Sequence, residues 1–290
     1  MAATTADSDT IVKTKMGPQS AGHSQRPDVS MSIIVTAMNE EGNLEPTIES
    51  VVGAVGPRFN NYEIIIVDDG SQDRTFAIAE RLAARNPRIR LQRNPRNMGL
   101  SYSYRKGIAL ATNEYTSWVA GNNIVPRDGL ERIYDRIGER DMVISYVIRD
   151  VRGVMRRLVS RSFTVGMNLL FGLQLRYYTG PNVYRTAVAK QLKYTTRGSM
   201  FVPELLIRLL RSGQSYVEVG LQPLPRSSGA TKTFRIRNVV DVTRSALGLF
   251  WELRVARKVT TPDSLVTDAE GVFSPAWSGA KSVGDELQKS

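Results

Sequence analysis

The run Ile64-Ile65-Ile66-Val67-Asp68-Asp69-Gly70-Ser71-Gln72-Asp73-Arg74-Thr75 decides the fold. Its first four residues are apolar at every position, the mark of a strand covered on both faces and so of a parallel sheet. Two adjacent carboxylates follow, then a glycine suited to a tight turn, then Ser71 and Asp73, either of which can cap the next helix. That helix is predicted over Thr75–Arg85, with Phe76, Ala79, Leu82 and Ala83 on one face. Capping and turn formation account for Ser71, Asp73 and Thr75. They do not account for Asp68-Asp69, whose mutual repulsion is offset more easily if one of them accepts hydrogen bonds from a base or ribose.

The same rhythm extends in both directions. Ile33-Ile34-Val35 reads as a strand and residues 44–55 as the helix after it; further strands are expected at 89–92, 115–119 and 142–148, with a helix at 102–112. Alternating strands and helices imply an α/β fold with a mostly parallel sheet and helices on both faces. In such sheets ligands bind at the carboxyl ends of the strands, and the polar clusters fall there. After the first strand stands Thr36-Ala37-Met38-Asn39-Glu40-Glu41, and after the fourth Ala120-Gly121-Asn122-Asn123, with Pro126 and Asp128 beyond. Asn97-Met98-Gly99-Leu100 opens the helix that carries Arg105 and Gly107. A glycine at a helix entrance lets a phosphate approach free backbone amides. Arg105 either assists there or is a solvated surface arginine.

Composition removes whole classes of chemistry. The 290 residues contain no cysteine and one histidine, His23, which lies in a polar stretch before the first strand. Disulfide frameworks, thiol nucleophiles and zinc-thiolate sites are excluded, and a Ser-His-Asp triad or a histidine general base does not fit. A net charge of +11 attracts polyanions, whether nucleic acid, acidic lipid or phosphorylated substrate. No run approaches the ~18 apolar residues needed to span a bilayer, so membrane contact is expected to be peripheral. The beginning of the sequence, with Asp7 and Asp9, is unlike a secretory signal, and a cytoplasmic location is the expectation. Residues 1–29 and 260–290 read as a disordered leader and tail. Residues 151–176 and about 233–259 interleave arginines with large apolar side chains, as in basic amphipathic helices that lie on anionic membranes.

The order strand, Asn-Glu-Glu, strand, Asp-Asp-Gly-Ser-x-Asp-x-Thr, Asn-x-Gly resembles glycosyltransferase family 2 over about residues 31–232. Within it, the chain is similar to the dolichyl- or polyprenyl-phosphate sugar synthases. The resemblance implies a GT-A fold and inverting transfer of a sugar from a nucleotide-sugar to a polyprenyl-phosphate lipid or a growing cell-surface glycan. It implies a nucleotide-sugar half at about 30–128 and an acceptor half at about 129–232. It assigns donor contacts to Thr36, Asn39, Glu40, Asp68, Asp69, Asn97, Gly99, Gly121 and Asn122. Glu218-Val219 and Arg226-Ser227-Ser228-Gly229-Ala230-Thr231-Lys232 resemble later family elements, the basic one lying near the phosphates in polyprenyl-phosphate members. Arg105, Arg226 and Lys232 are therefore the candidates to stabilise the leaving diphosphate.

The departures are specific. Where the family carries an Asp-x-Asp that binds Mg²⁺ or Mn²⁺, this chain has Ala120-Gly121-Asn122, leaving Asn122 and Asn123 as neutral, weaker ligands. Thr36 and Met38 replace the usual proline and tyrosine, and Arg176-Tyr177-Tyr178-Thr179-Gly180 lacks the acidic residue that often precedes the Thr/Ser-Gly. A phosphate acceptor needs no general base; for a hydroxyl acceptor Glu204 is the candidate, although its apolar helical neighbours suit a structural residue equally. Two other readings stand beside transfer. One is a member that binds nucleotide-sugar or a partner without turnover. The other is nucleic-acid recognition, against which the wide apolar faces among the arginines and the lack of a stacking platform speak.

Overall fold

The computed structural model describes residue 26 and residues 28–149, 153–196, 198–225 and 236–255, without the side chains of 236–240 and 254–255. The leader, the tail, His23, and the basic stretch with Arg226 and Lys232 lie outside the described residues. Seven strands form one sheet in the order β3-β2-β1-β4-β6-β5-β7. They are β1 (Ser30–Ala37), β2 (Asn61–Asp68), β3 (Ile89–Arg93), β4 (Tyr115–Ala120), β5 (Met142–Val147), β6 (Val183–Arg185) and β7 (Tyr216–Leu221). Strand β6 runs antiparallel to both β4 and β5, and every other pairing is parallel. The expected mostly parallel α/β sheet is thus what the chain forms. The three-residue antiparallel β6 is too short to give a periodic signal, whereas β7, with Val217, Val219 and Leu221 alternating inward, carries one that sequence reading passed over.

Each apolar strand is read on both faces. Ile33, Val35, Ile64 and Ile66 pack on one side against α1 (Leu44–Val55), α2 (Thr75–Arg85) and α4 (Arg127–Tyr134). Ile34 packs on the other, with α3 (Leu100–Leu110), the end of α5 (Val154–Phe171), α6 (Thr186–Gln191), α7 (Phe201–Arg211) and α8 (Ile236–Phe250). Burying each such Ile or Val stabilises the fold by roughly 1.5–3 kcal/mol, which explains why Ile64 through Val67 tolerate no polar side chain. Chain order along the sheet reverses at β1: β2 and β3 extend one way, and the chain then returns to lay β4 on the other side of β1. That reversal opens a crevice above the carboxyl ends of β1 and β4.

Helix α3 approaches the sheet closely at Gly107. A Cβ at this position would press into the Ile34 side chain at its Cγ2. G107A should therefore destabilise the protein by about 1–3 kcal/mol through overpacking, read as a lower midpoint with an unchanged slope in urea unfolding; an unshifted midpoint would show that α3 can move away freely.

Candidate functional site at the carboxyl edge of the sheet

The loops after β1 and β2 are bound to each other by a ladder of side chain to backbone hydrogen bonds. Asn39 N–H donates to Ser71 Oγ at 3.0 Å, Glu40 N–H to Thr75 Oγ1 at 2.7 Å and Glu41 N–H to Asp73 Oδ2 at 3.2 Å. In return Gln72 N–H donates to Asn39 Oδ1 at 2.9 Å, and Arg74 pairs with Glu41 at 3.1 Å. Asn39 holds φ at 53°, a left-handed conformation that asparagine tolerates. Asp73 caps α2 through the Thr75 N–H, as expected, but Ser71 and Thr75 spend their hydroxyls on the neighbouring loop. Gly70, at φ 71°, cannot carry a Cβ without striking the Arg96 backbone.

The adjacent carboxylates have separate fates because consecutive side chains leave a strand on opposite faces. Asp69 Oδ1 accepts from Asn94 Nδ2 at 2.8 Å and Met98 N–H at 2.9 Å, and its Oδ2 from Gly99 N–H at 2.9 Å. Asp69 was expected to contact a nucleotide; in this structure its oxygens accept three hydrogen bonds from the loop that leads into α3. Asp68 is wholly buried, with Oδ2 facing Ser71 N–H at 3.3 Å and Arg93 Nε at 3.4 Å. Its Oδ1 is buried and has no hydrogen-bond partner among the described residues. A buried acceptor left unsatisfied is costly, so Asp68 is poised for a donor that the described residues do not supply.

Across the crevice, Thr36 Oγ1 accepts from Trp118 Nε1 at 2.9 Å, and Gly121 N–H donates to the Thr36 carbonyl at 2.9 Å. Asn122 Oδ1 is likewise buried and without a hydrogen-bond partner among the described residues. Asn123, at φ 54°, donates its N–H to Thr47 Oγ1 at 3.0 Å. Exposed Asn97 supports Gly99 N–H at 3.0 Å, and Gly99, at φ 88°, has open space where a Cβ would stand. The expected residues Thr36, Asn39, Glu40, Asp68, Asp69, Asn97, Gly99, Gly121, Asn122 and Asn123 therefore gather on strand ends and loops of one sheet edge, yet most of their polar contacts hold that edge together.

Two expected residues lie elsewhere. Arg105, one and a half turns into α3, donates to the Thr196 carbonyl at 2.8 Å and stands over the Tyr194 and Phe201 rings. Glu204 is fully buried and accepts from the amides and hydroxyls of Thr195 and Thr196 and from Arg208 Nε at 2.8 Å. Burial opposes its ionisation, but Arg208 and the threonine donors outweigh that and hold its pKa below the ordinary 4.5. A carboxylate so saturated and acidic is a structural ion and cannot serve as the general base.

Arg93, which sequence reasoning passed over, borders the site: its guanidinium lies 4.1 Å from the Phe76 ring centroid, pairs with Asp68 and donates to the Ser71 carbonyl. No pattern singles out an arginine at the end of a short strand. Nor did periodicity reveal that Asn182 Oδ1 accepts the Ser145 N–H at 2.9 Å, fixing the 179–182 segment beside the end of β5.

Fold and site together define an α/β nucleotide-binding-type domain, with its polar loops at the switch point of the sheet. The chain belongs to glycosyl transferase family 2, whose family model matches residues 32–198. It is 23% identical over 218 residues to the dodecaprenyl-phosphate galacturonate synthase of Rhizobium johnstonii, covering 72% of this chain and 64% of that protein. It is 29% identical over 116 residues to a dolichyl-phosphate beta-glucosyltransferase of Trichomonas vaginalis, covering 38% and 34%. The chain spans less than two thirds of the length of the curated relatives it matches. In fold it is similar to glucosyl-3-phosphoglycerate synthase from Mycobacterium tuberculosis, solved with Mn²⁺, UDP and glucosyl-3-phosphoglycerate, at a TM-score of 0.59, 18% identity and 82% coverage of both chains.

Two outcomes check this account. D69A should lower stability by about 1–3 kcal/mol, because it strands the amides of Met98 and Gly99 and the Asn94 side chain, and hydrogen exchange should quicken in residues 94–99; unaltered exchange there would refute the clamp. Since the folded pKa of Glu204 is depressed, its contribution is present above the unfolded value near 4.5 and lost as pH falls through the folded value. Acid unfolding of E204Q should therefore show a shallower loss of stability below about pH 4.5 than wild type, measured by urea titration at several pH values.

Proposed function

We propose that the chain moves a sugar from a nucleotide-sugar to an acceptor, with inversion at the anomeric carbon, the acceptor being a polyprenyl-phosphate lipid or a saccharide. The single observation that carries the donor assignment is Asp68 Oδ1, a buried carboxylate oxygen at the carboxyl end of β2 without a hydrogen-bond partner among the described residues. A ribose hydroxyl or base N–H is the neutral donor suited to it. Arg93 over Phe76 walls that side. Family membership supports the donor class, and relatives named for polyprenyl-phosphate and dolichyl-phosphate sugar synthesis support the acceptor class.

In the transfer step an acceptor oxygen forms a bond to the anomeric carbon as the bond from that carbon to the diphosphate breaks. The nucleoside diphosphate departs with the electron pair. An acceptor phosphate is ionised already and requires no base, which agrees with the unavailability of Glu204. Charge growing on the diphosphate needs preorganised positive partners. Arg226 and Lys232 take that role on sequence grounds, outside the described residues, while Arg105 is engaged with Thr196 and two aromatic rings.

The fold neighbour binds Mn²⁺ with UDP, and the donor set here differs from what a divalent ion prefers. Asn122 Oδ1 is a single neutral oxygen, and no group of three or more His, Asp or Glu side chains among the described residues could hold a metal. Hard divalent cations favour several oxygens, with carboxylates foremost, so the protein itself holds such an ion weakly at best.

Titration of a nucleotide-sugar panel into wild type and D68A tests the donor site. Binding should weaken at least tenfold, about 1.4 kcal/mol, with the thermal melt of the unliganded protein retained; equal affinities would remove Asp68 from the site. Transfer should fall less in excess chelator than is usual for an enzyme with a carboxylate-built metal site, and N122D should raise the metal response. Activity abolished by chelator and restored at micromolar metal in wild type would contradict the weak-metal reading. Intact donor binding with no transfer to any acceptor under either condition would favour the alternative of a non-catalytic nucleotide-sugar binder, to which the missing carboxylates point.

A further inference from the structure

Helix α5 presents its apolar side to solvent. Of its eighteen residues only Met167 and Phe171 are buried. At about 100° per residue, Val154, Met155, Leu158, Val159, Val165 and Leu169 fall within an arc of roughly 140° on the side away from Met167 and Phe171. All six are exposed, Leu158 by 58% and Leu169 by 79%. By the same helical spacing, Arg157 and Arg161 border one edge of the arc and Arg156 stands beyond the other. The helix carries no acidic residue.

The neighbouring elements continue the pattern. Ile148, 60% exposed, follows β5, and Leu224, 43% exposed, follows β7 and donates its N–H to the Ile124 carbonyl at 2.9 Å. Both stand at the carboxyl edge of the sheet, beside the loop that carries Asn122. Helix α8 meets α5 through the Phe171 and Phe250 rings, 6.4 Å apart, and exposes Leu247 by 53%. Trp251, just beyond α8, is 64% exposed. Exposed apolar side chains concentrated on one helix mark a docking surface.

We propose that α5 docks this protein on an anionic lipid surface, its apolar arc in the headgroup boundary and its arginines against lipid phosphates. The charge selects the occupant: the whole chain carries +11, and arginines flank an arc with no acidic counterpart. A second copy placed on the same face would bring arginines against arginines. No helix among the described residues is long and apolar enough to cross a membrane, so the contact is lateral, as for an amphipathic helix lying in the interface. The inference goes beyond sugar transfer and holds whether or not transfer takes place.

Sedimentation of the full chain with vesicles of phosphatidylcholine alone, or of phosphatidylcholine with phosphatidylglycerol, tests it. Wild type should pellet with the anionic vesicles and be released by high salt. L158E/L169E should bind at least tenfold more weakly. R157A/R161A should lose roughly twenty-fivefold, at about fivefold for each basic residue. Both variants change exposed positions, so their thermal melts and nucleotide-sugar affinities should match wild type, which separates this surface from the donor site. Wild type left in the supernatant with anionic vesicles, equal binding to neutral and anionic vesicles, or undiminished binding of L158E/L169E would each overturn the proposal. So would a dimer seen by light scattering that L158E/L169E dissociates, since the face would then belong to a second copy.

Discussion

The buried Asp69 carboxylate is the constraint on which the rest of the edge depends. Three donors from one short stretch converge on its two oxygens: the Asn94 side chain and the amides of Met98 and Gly99. A charged acceptor forms stronger hydrogen bonds than a neutral one, and these fix the entrance of α3 against the end of β2. Once that loop is fixed, Asn94 N–H can also reach the Asp68 carbonyl at 2.8 Å, and the space above Gly99 is defined. Its neighbour Asp68 points to the opposite face and keeps an oxygen in reserve. Two identical side chains side by side thus divide the work: one builds the frame and the other faces the crevice.

The crevice has an uneven charge distribution. On the β2 side stand an ionisable carboxylate and the Arg93 guanidinium. On the β4 side, Gly121 and Asn122 offer a backbone amide already committed to Thr36 and one neutral oxygen. The net charge of +11 favours an anionic ligand in general.

Most of the nucleotide half was legible in the sequence, and for a physical reason. Strands β1, β2 and β4 are buried on both faces and α1 and α2 on one, so the apolar pattern locates them. The expected helices at 44–55 and 75–85 match α1 and α2, while the apolar runs at 33–35 and 64–67 mark only the centres of β1 and β2, whose ends carry polar residues. The motif residues were found because polar clusters at strand ends have no apolar role. What they do there was less legible. Ser71, Asp73, Thr75, Asn39 and Glu40 bond across two loops separated by more than thirty residues, and no local spacing encodes that register. The same holds for Glu204, whose partners at Thr195 and Thr196 come from the preceding irregular segment.

Helices α5 and α8 show why an amphipathic pattern alone leaves two readings open. The periodicity of residues 154–171 gives an apolar stripe but not the direction in which it faces, and the stripe turns out to point away from the core. For the end of α8, direction is set by ions rather than by apolar packing. Arg208, buried on α7, pairs with Glu204 at 2.8 Å and with Glu252 at 2.9 Å, and Thr195 Oγ1 also donates to Glu252. A buried pair of this kind contributes little net stability against its desolvation cost, yet removing one partner is expensive. Its effect is therefore on orientation. With Glu252 drawn inward to Arg208 and Leu253 buried beside it, the preceding residue must turn the other way, and Trp251 is left facing solvent. The exposed tryptophan thus stands beside an ion network that holds its two successors inward.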